Sequence, residues 1–228
     1  MTSDAAAHLA APAAAPLYVD IVSDVVCPWC YIGKRKLEAA LARLGTGPDQ
    51  VATVRWHPFE LNPDLPIRGM PRAAYLQAKF GGAASADAIY ARVRAVGAEV
   101  DIPFAFELIR VQPNTLAAHR LIAWAQQRGD ADALVERLFR AYFTEGRPIG
   151  EVDELVALAA DAALPAEEAR AMLLSDGYKS EVEAECGEAR EAGISGVPFF
   201  IFNGRTAVSG AHDPETLLEA ITAARASA

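Results

Sequence analysis

Cys27 and Cys30, separated by Pro28 and Trp29, are the residues of this 228-residue chain whose type and spacing point most directly to chemistry. Two thiols three positions apart in the first turn of a helix share one face, close enough to join as a disulfide. The first can occupy the N-cap, where unpaired backbone N–H groups and the positive end of the helix dipole favour a thiolate, and a proline at the next position loses nothing by lacking an N–H. An unperturbed thiol, with a pKa of about 8.5, is only a few per cent ionised at neutral pH, whereas C-x-x-C thiols at helix starts fall to roughly 3.5–7.5. Cys27 is therefore expected to attack. Cys30, one turn deeper and flanked by Trp29 and Tyr31, is expected to be shielded and to resolve a mixed disulfide formed on Cys27. The competing use of such a pair is a metal site. That needs two more ligands, and Cys186, His8, His57, His119 and His212 form no second close-spaced pair, so no metal is expected.

The elements around the pair fit a redox role. Leu17–Ser23 is short, β-branched and nearly all apolar, as a buried strand of a mainly parallel sheet would be. The pair follows directly, and from Pro28 the apolar residues Ile32, Leu37, Leu41 and Leu44 recur at helical spacing until Gly45, where a helix would stop. Residues 51–61 read as a second strand. Strand, helix and strand form a βαβ unit with parallel strands, the context a redox C-x-x-C requires.

Past Asn62-Pro63 the pattern turns helical for more than a hundred residues, with helices expected at 72–80, 87–100, 115–128, 131–143, 152–163 and 166–174. In the fourth, Leu134, Val135, Leu138, Phe139, Tyr142 and Phe143 make one apolar stripe. The last fifty residues return to α/β: a helix at 178–192, strands at 199–202 and 205–209 joined by Asn203-Gly204, and a helix at 213–224. Asn-Gly between strand-like runs is a strong hairpin signal, because its turn takes positive φ at both residues.

The whole chain sets further bounds. With 30 acidic against 21 basic residues the net charge is −9, which opposes a phosphate backbone, so no nucleic acid is expected. Residues 1–16 are rich in Ala and Pro and lack Lys and Arg, and read as a disordered tail rather than a secretory signal. No stretch is apolar for long enough to span a bilayer, so no membrane is expected and the default location is the cytoplasm. A structural disulfide rarely persists there; a catalytic pair can operate.

Five segments taken together resemble the DsbA-like branch of the thioredoxin superfamily, and in particular its FrnE-like members, relatives of 2-hydroxychromene-2-carboxylate isomerases and kappa-class glutathione transferases. They are Asp24 to Lys34 (DVVCPWCYIGK), His57 to Pro63 (HPFELNP), Pro113 to Arg120 (PNTLAAHR), Ala141 to Phe143 (AYF) and Gly196 to Phe200 (GVPFF). The resemblance implies an α/β thioredoxin-like fold with a large all-helical domain inserted: 17–62 and 177–226 as one discontinuous domain, 63–176 as the insertion. It implies a cis Val197-Pro198 peptide facing the dithiol, with Pro198 keeping metal from the cysteines and the Val197 backbone pairing with an extended substrate. The isomerase and transferase relatives carry serine at the first cysteine position; both Cys27 and Cys30 are present here, which favours disulfide exchange.

Expected partners are disulfide- or thiol-containing proteins or small molecules, with no tightly bound cofactor, glutathione as a candidate redox partner, and a homodimer left open. Two other functions remain: a glutathione-dependent isomerase or transferase acting on an aromatic or polyketide-like substrate, and a chaperone or binding module using the Val197-Pro198 edge. With no charge on Pro28 or Trp29 and Asp24 nearby, the potential is expected between about −270 mV (thioredoxin) and about −120 mV (DsbA). Trp29 and Pro28 are candidate substrate contacts. Asn114 is a candidate too, though its ordinary role after Pro113 is to cap a helix. His119 either faces the cleft or is a satisfied interior histidine. Cys186, on the apolar stripe of Tyr178, Val182 and Ala189, reads as a buried structural thiol, His57 as structural, His212 as a loop residue, and Phe199 and Phe200 as strand packing.

Overall fold

The computed structural model describes residues 16–44, 52–129 and 131–226, Ala83 by its backbone alone. The expected tail (1–16) apart from its last residue, His8, the helix stop at Gly45 and the strand start at Val51 lie outside these residues.

Strand β1 (Leu17–Ser23) runs into helix α1 (Pro28–Arg43) and returns as β2 (Ala52–Pro58), parallel to β1 with Leu17 opposite Ala52 and Ser23 opposite Pro58. Seven further helical segments then intervene: α2 (Arg72–Phe80), α3 (Ala83–Ala98), α4 (Leu116–Gln126), α5 (Asp132–Phe143), α6 (Val152–Asp161), α7 (Ala166–Leu174) and α8 (Lys179–Glu191). Within them β3 (Met70–Pro71) and β4 (Val111–Gln112) form a short antiparallel ladder, and Phe106–Leu108 is a 3-10 turn, neither of which has a periodic signal in so few residues. Strands β5 (Phe199–Phe202) and β6 (Thr206–Ser209) and helix α9 (Pro214–Ala226) complete the chain.

The sheet has the order β2-β1-β5-β6, and it is mixed rather than mainly parallel: β5 runs antiparallel to both β1 and β6. The apolar run in β1 reports that both faces are covered, and a strand so covered has the same composition whichever way its neighbour points. Asn203 and Gly204 have φ of 50° and 64°, the positive values their hairpin requires. Helix α3 starts four residues earlier than its apolar pattern and ends before Val100, at a turn where Asp101 takes φ 58°. This is an α/β thioredoxin-like fold with a helical region inserted between β2 and β5.

One continuous apolar core runs from the sheet into the helical region, joining Val19, Ile21, Phe200 and Phe202 to Leu134, Leu138, Phe139 and Phe143. Helix α1 is its hinge pin. Tyr31 stacks on Phe139 of α5 at 5.1 Å and its hydroxyl donates to Glu136 at 2.9 Å. Lys34, 2% exposed, is neutralised by Glu38, by Asp132 at 2.9 Å and by Glu136 at 3.3 Å, so the helix carrying the dithiol is held to α5 by both packing and charge.

Candidate active site

Strand β1 delivers the chain to a tight turn in which Cys27 N–H donates to Asp24 O at 2.9 Å. Cys27 then sits at the N-cap of α1 with φ −92° and ψ 112°, its carbonyl accepting the N–H of Cys30 at 3.0 Å, and Pro28 occupies the first helical turn. The expected cap position is realised, but the sulfur is not drawn onto the open N–H groups of the first turn. It donates instead to the carbonyl of Val197 at 3.4 Å, because a neutral thiol is a better donor than acceptor and that carbonyl stands within reach. The Val197-Pro198 peptide is cis. Pro198 is buried, while Val197, Pro28 and Trp29 are half-buried around the sulfur. The Trp29 ring carries the guanidinium of Arg92, from α3, 5.9 Å from its centroid.

All three cysteines are free thiols. Cys30 is 1% exposed against 5% for Cys27. Burial, reinforced by its hydrogen bond and charge contact with Cys27, pushes the Cys30 thiol well above its ordinary value, and the Ser23 hydroxyl and the Asp24 backbone pull the other way. Cys30 is therefore held as the protonated, inward partner of the pair.

Gly33 fixes how closely the proline loop can approach. A Cβ built there would lie 2.9 Å from Pro198 Cγ and 3.0 Å from Phe200 Cζ, so only glycine lets α1 seat against both. A glycine in mid-helix costs about 1 kcal/mol relative to alanine, and that local penalty is the one sequence signal that singles out the position.

Beneath the dithiol lies a buried polar layer. The Asp24 carboxylate, wholly buried, accepts the N–H of Leu61 at 2.8 Å and of Val26 at 3.4 Å. His119, 4% exposed, points Nε2 at Asp24 Oδ1 from 3.4 Å, so it is an interior histidine and offers a substrate no surface. Burial raises the Glu60 carboxyl, Asp24 and Glu183 add to this, and His119 and Arg190 oppose it. Asn114 is spent on architecture: its Oδ1 accepts the Leu116 N–H at 3.0 Å, starting α4, and its Nδ2 donates to Leu65 O at 3.1 Å. His57 bridges Glu185 of α8 at 3.1 Å and Asp20 of β1 at 3.0 Å, a structural strap, and His212 lies in the loop before α9 bonded to Ser209 O. Phe200 is fully buried strand packing, and Phe199, half-buried on the opposite face, packs against the cluster of Val22, Phe59 and Ile194. Cys186 is 2% exposed on α8, its thiol pushed up to about 11 chiefly by burial.

Among the described residues no group of three His, Cys, Asp or Glu is placed to hold a metal ion, and no helix is long and apolar enough to cross a membrane.

A helix-start dithiol against a cis-proline loop, on a thioredoxin-like fold with helices inserted, defines the DsbA class of thiol oxidoreductases. The chain belongs to the DSBA-like thioredoxin domain family, whose model matches residues 18–222. It is 34% identical to a probable DsbA oxidoreductase of Streptomyces coelicolor, whose crystal structure superposes with a TM-score of 0.81 over 91% of this chain and 89% of that one. YwbO of Bacillus subtilis is 28% identical over 211 residues, 90% of this chain and 96% of its own. The fold is also shared with the cytosolic disulfide reductase DsbM of Pseudomonas aeruginosa, solved with GSH, at 20% identity and a TM-score of 0.61 over 92% and 96% of the two chains.

Proposed function

We propose that this protein is a thiol-disulfide oxidoreductase in which Cys27 attacks the disulfide of a protein or small molecule and Cys30 resolves the mixed disulfide. The observation that carries the reading is the position of Cys27: at the N-cap, 5% exposed beneath the half-buried Pro28, Trp29 and Val197, with the more deeply buried Cys30 one turn into the helix. In the forward direction the Cys27 thiolate displaces one substrate sulfur as a thiolate. Cys30 then gives up its proton and displaces the second, leaving Cys27–Cys30 as a disulfide and the substrate reduced by two electrons. The reverse sequence oxidises a dithiol. Val197 offers its backbone to an extended substrate once its carbonyl is released from Cys27, Pro198 backs the sulfur, and Trp29 and Pro28 form the rim.

The FrnE-like branch is the subgroup that the CPWC and GVPFF segments favour. A cytoplasmic setting, with glutathione as redox partner, is in keeping with the GSH bound to DsbM. Catalysed insulin reduction tests the reading. Cys27→Ser is expected to abolish turnover, and Cys30→Ser to accumulate a substrate adduct on Cys27 detectable by intact mass. Turnover retained in Cys27→Ser would overturn it.

A further inference from the structure

Three buried polar atoms without a hydrogen-bond partner among the described residues, Ser23 Oγ, Trp56 Nε1 and His119 Nε2, belong to residues that line the same small space. Their residues are 5%, 4% and 4% exposed. The cavity they line has a volume of about 20 Å³. A water needs at least about 10–15 Å³ on this measure and two to four polar partners, and an unpaired buried donor or acceptor costs about 1–3 kcal/mol. The volume and the number of unpaired polar groups in its lining match one water molecule. The chemistry of the lining also orients it. An indole N–H can only donate, so the water oxygen accepts from Trp56; its second lone pair is free to accept the Ser23 hydroxyl, and a water hydrogen is left for the imidazole nitrogen of His119.

This site borders the resolving thiol. Ser23, the last residue of β1, stands close enough to the Cys30 thiol to oppose the effect of its burial, and His119 faces Asp24 Oδ1 at 3.4 Å. We propose that Ser23, Trp56 and His119 hold a buried water that carries the proton of Cys30 to His119 when Cys30 attacks the mixed disulfide. The inference rests on the exchange reaction above and assigns the route by which its second step loses a proton.

The Cys30 S–H proton passes to Ser23 Oγ as the Ser23 hydroxyl proton passes to the water, and a water proton passes to His119 Nε2. One S–H and two O–H bonds are broken and two O–H bonds and one N–H bond are made, with a net transfer of one proton and no net change at Ser23 or the water. Cys30, now a thiolate, forms the Cys27–Cys30 bond and expels the substrate sulfur as a thiolate, which takes its proton from solvent. The imidazolium left behind faces the Asp24 and Glu60 carboxyls, with Arg190 and Cys186 of α8 beyond Glu60. Helices α4 and α5 contribute Ile122, Ala123 and Val135 to the cavity, which carry no charge, and Gln126, which is occupied with the Trp56 backbone at 2.6 Å and 2.9 Å. The lining also includes His57 and Glu185, 38% and 44% exposed, so the same space adjoins groups that reach bulk water. Buried behind 1% exposure, Cys30 has no direct contact with solvent through which to lose its proton.

The test separates the two chemical steps. An aromatic disulfide that releases one coloured thiolate on Cys27 attack and a second on Cys30 attack gives two phases in a stopped-flow trace. His119→Gln keeps a polar side chain of similar length but cannot carry the proton; the second phase is expected to slow by about tenfold or more and its rate to rise with hydroxide across the neutral range, while the first phase is unchanged. Trp56→Phe keeps the packing, removes the N–H that orients the water, and should slow the second phase less, with a reduced heavy-water effect. A second phase unchanged in rate and pH profile in both variants would overturn the relay while leaving the exchange reaction standing; a wild-type protein giving no second phase would overturn the exchange reaction itself. Equal slowing of both phases marks a structural effect and also counts against the relay. A high-resolution crystal structure gives an independent reading: a dry cavity between Ser23, Trp56 and His119 would refute the water.

Discussion

Gly33→Ala isolates the contact between the dithiol helix and the proline loop. The added Cβ would stand 2.9 Å from Pro198 Cγ, 3.0 Å from Phe200 Cζ and 3.5 Å from Phe200 Cε2. Carbon atoms pack at about 3.5–4.0 Å, so the loop or the helix must give by roughly 0.5–1 Å. Helix propensity alone would stabilise the alanine by about 0.8–1.0 kcal/mol. Overpacking against a proline ring and a fully buried phenylalanine costs about 1–3 kcal/mol, so the net expectation is a loss of about 0–2 kcal/mol, or roughly 0–8 °C in Tm for a chain of this size. The functional effect should be larger. The Val197 carbonyl is 3.4 Å from Cys27 Sγ, and a displacement approaching 1 Å in a reacting geometry costs up to about 10²-fold. Gly187→Ala is the internal control, because it lies mid-helix in α8 with nothing within 4 Å of its added Cβ and should simply gain the propensity term. Urea unfolding and insulin reduction measure both quantities. If Gly33→Ala gained stability like Gly187→Ala and turned over at the wild-type rate, the seating of the loop on Gly33 would be wrong.

Two further outcomes follow from the same structure. The hydrogen bond to Glu185, then that to Asp20, raise the His57 pKa against the cost of burial. A pKa raised on folding contributes stability that is complete below the unfolded value, about 6.5, and is lost as pH rises through the native value; urea midpoints should therefore fall as pH rises above about 6.5, and His57→Gln should remove that slope, whereas an unchanged slope would show that the strap is not its source. Cys186, pushed up to about 11 by burial, should resist alkylation by iodoacetamide in native protein at neutral pH while Cys27 reacts, and Cys186→Ala should leave insulin reduction intact; mass mapping that finds Cys186 labelled as fast as Cys27, or in a disulfide, would contradict this.

The parts of the molecule legible from sequence are those set by neighbours along the chain. Cys27 and Cys30 meet because helical geometry places residues three apart on one face, and Pro28 marks the helix start. The stripe from Leu134 to Phe143 is buried as its spacing requires, and Asn203-Gly204 turns as its φ preferences require. Pattern reading misjudged β1's neighbours, because apolar composition records burial and not direction. It left Asn114 between a cleft contact and a helix cap, and His119 between the cleft and the interior; the choice rests on Leu65, 49 residues from Asn114, and on Asp24, which faces His119.

Sequence by itself therefore determined the redox pair, the order of strands and helices along the chain, and the length of helix between β2 and β5. Tertiary structure alone decided which groups surround the pair. Val197 stands 170 residues from Cys27, and His119 and Trp56 reach Ser23 from separate elements with no shared period. Such contacts are fixed by the packing of whole faces, in which each residue's position depends on the volume of residues far from it in the chain, and no local preference encodes that sum. The dithiol is written in four consecutive residues; the environment that sets Cys27 against the Val197 carbonyl and buries Cys30 more deeply is written in the fold.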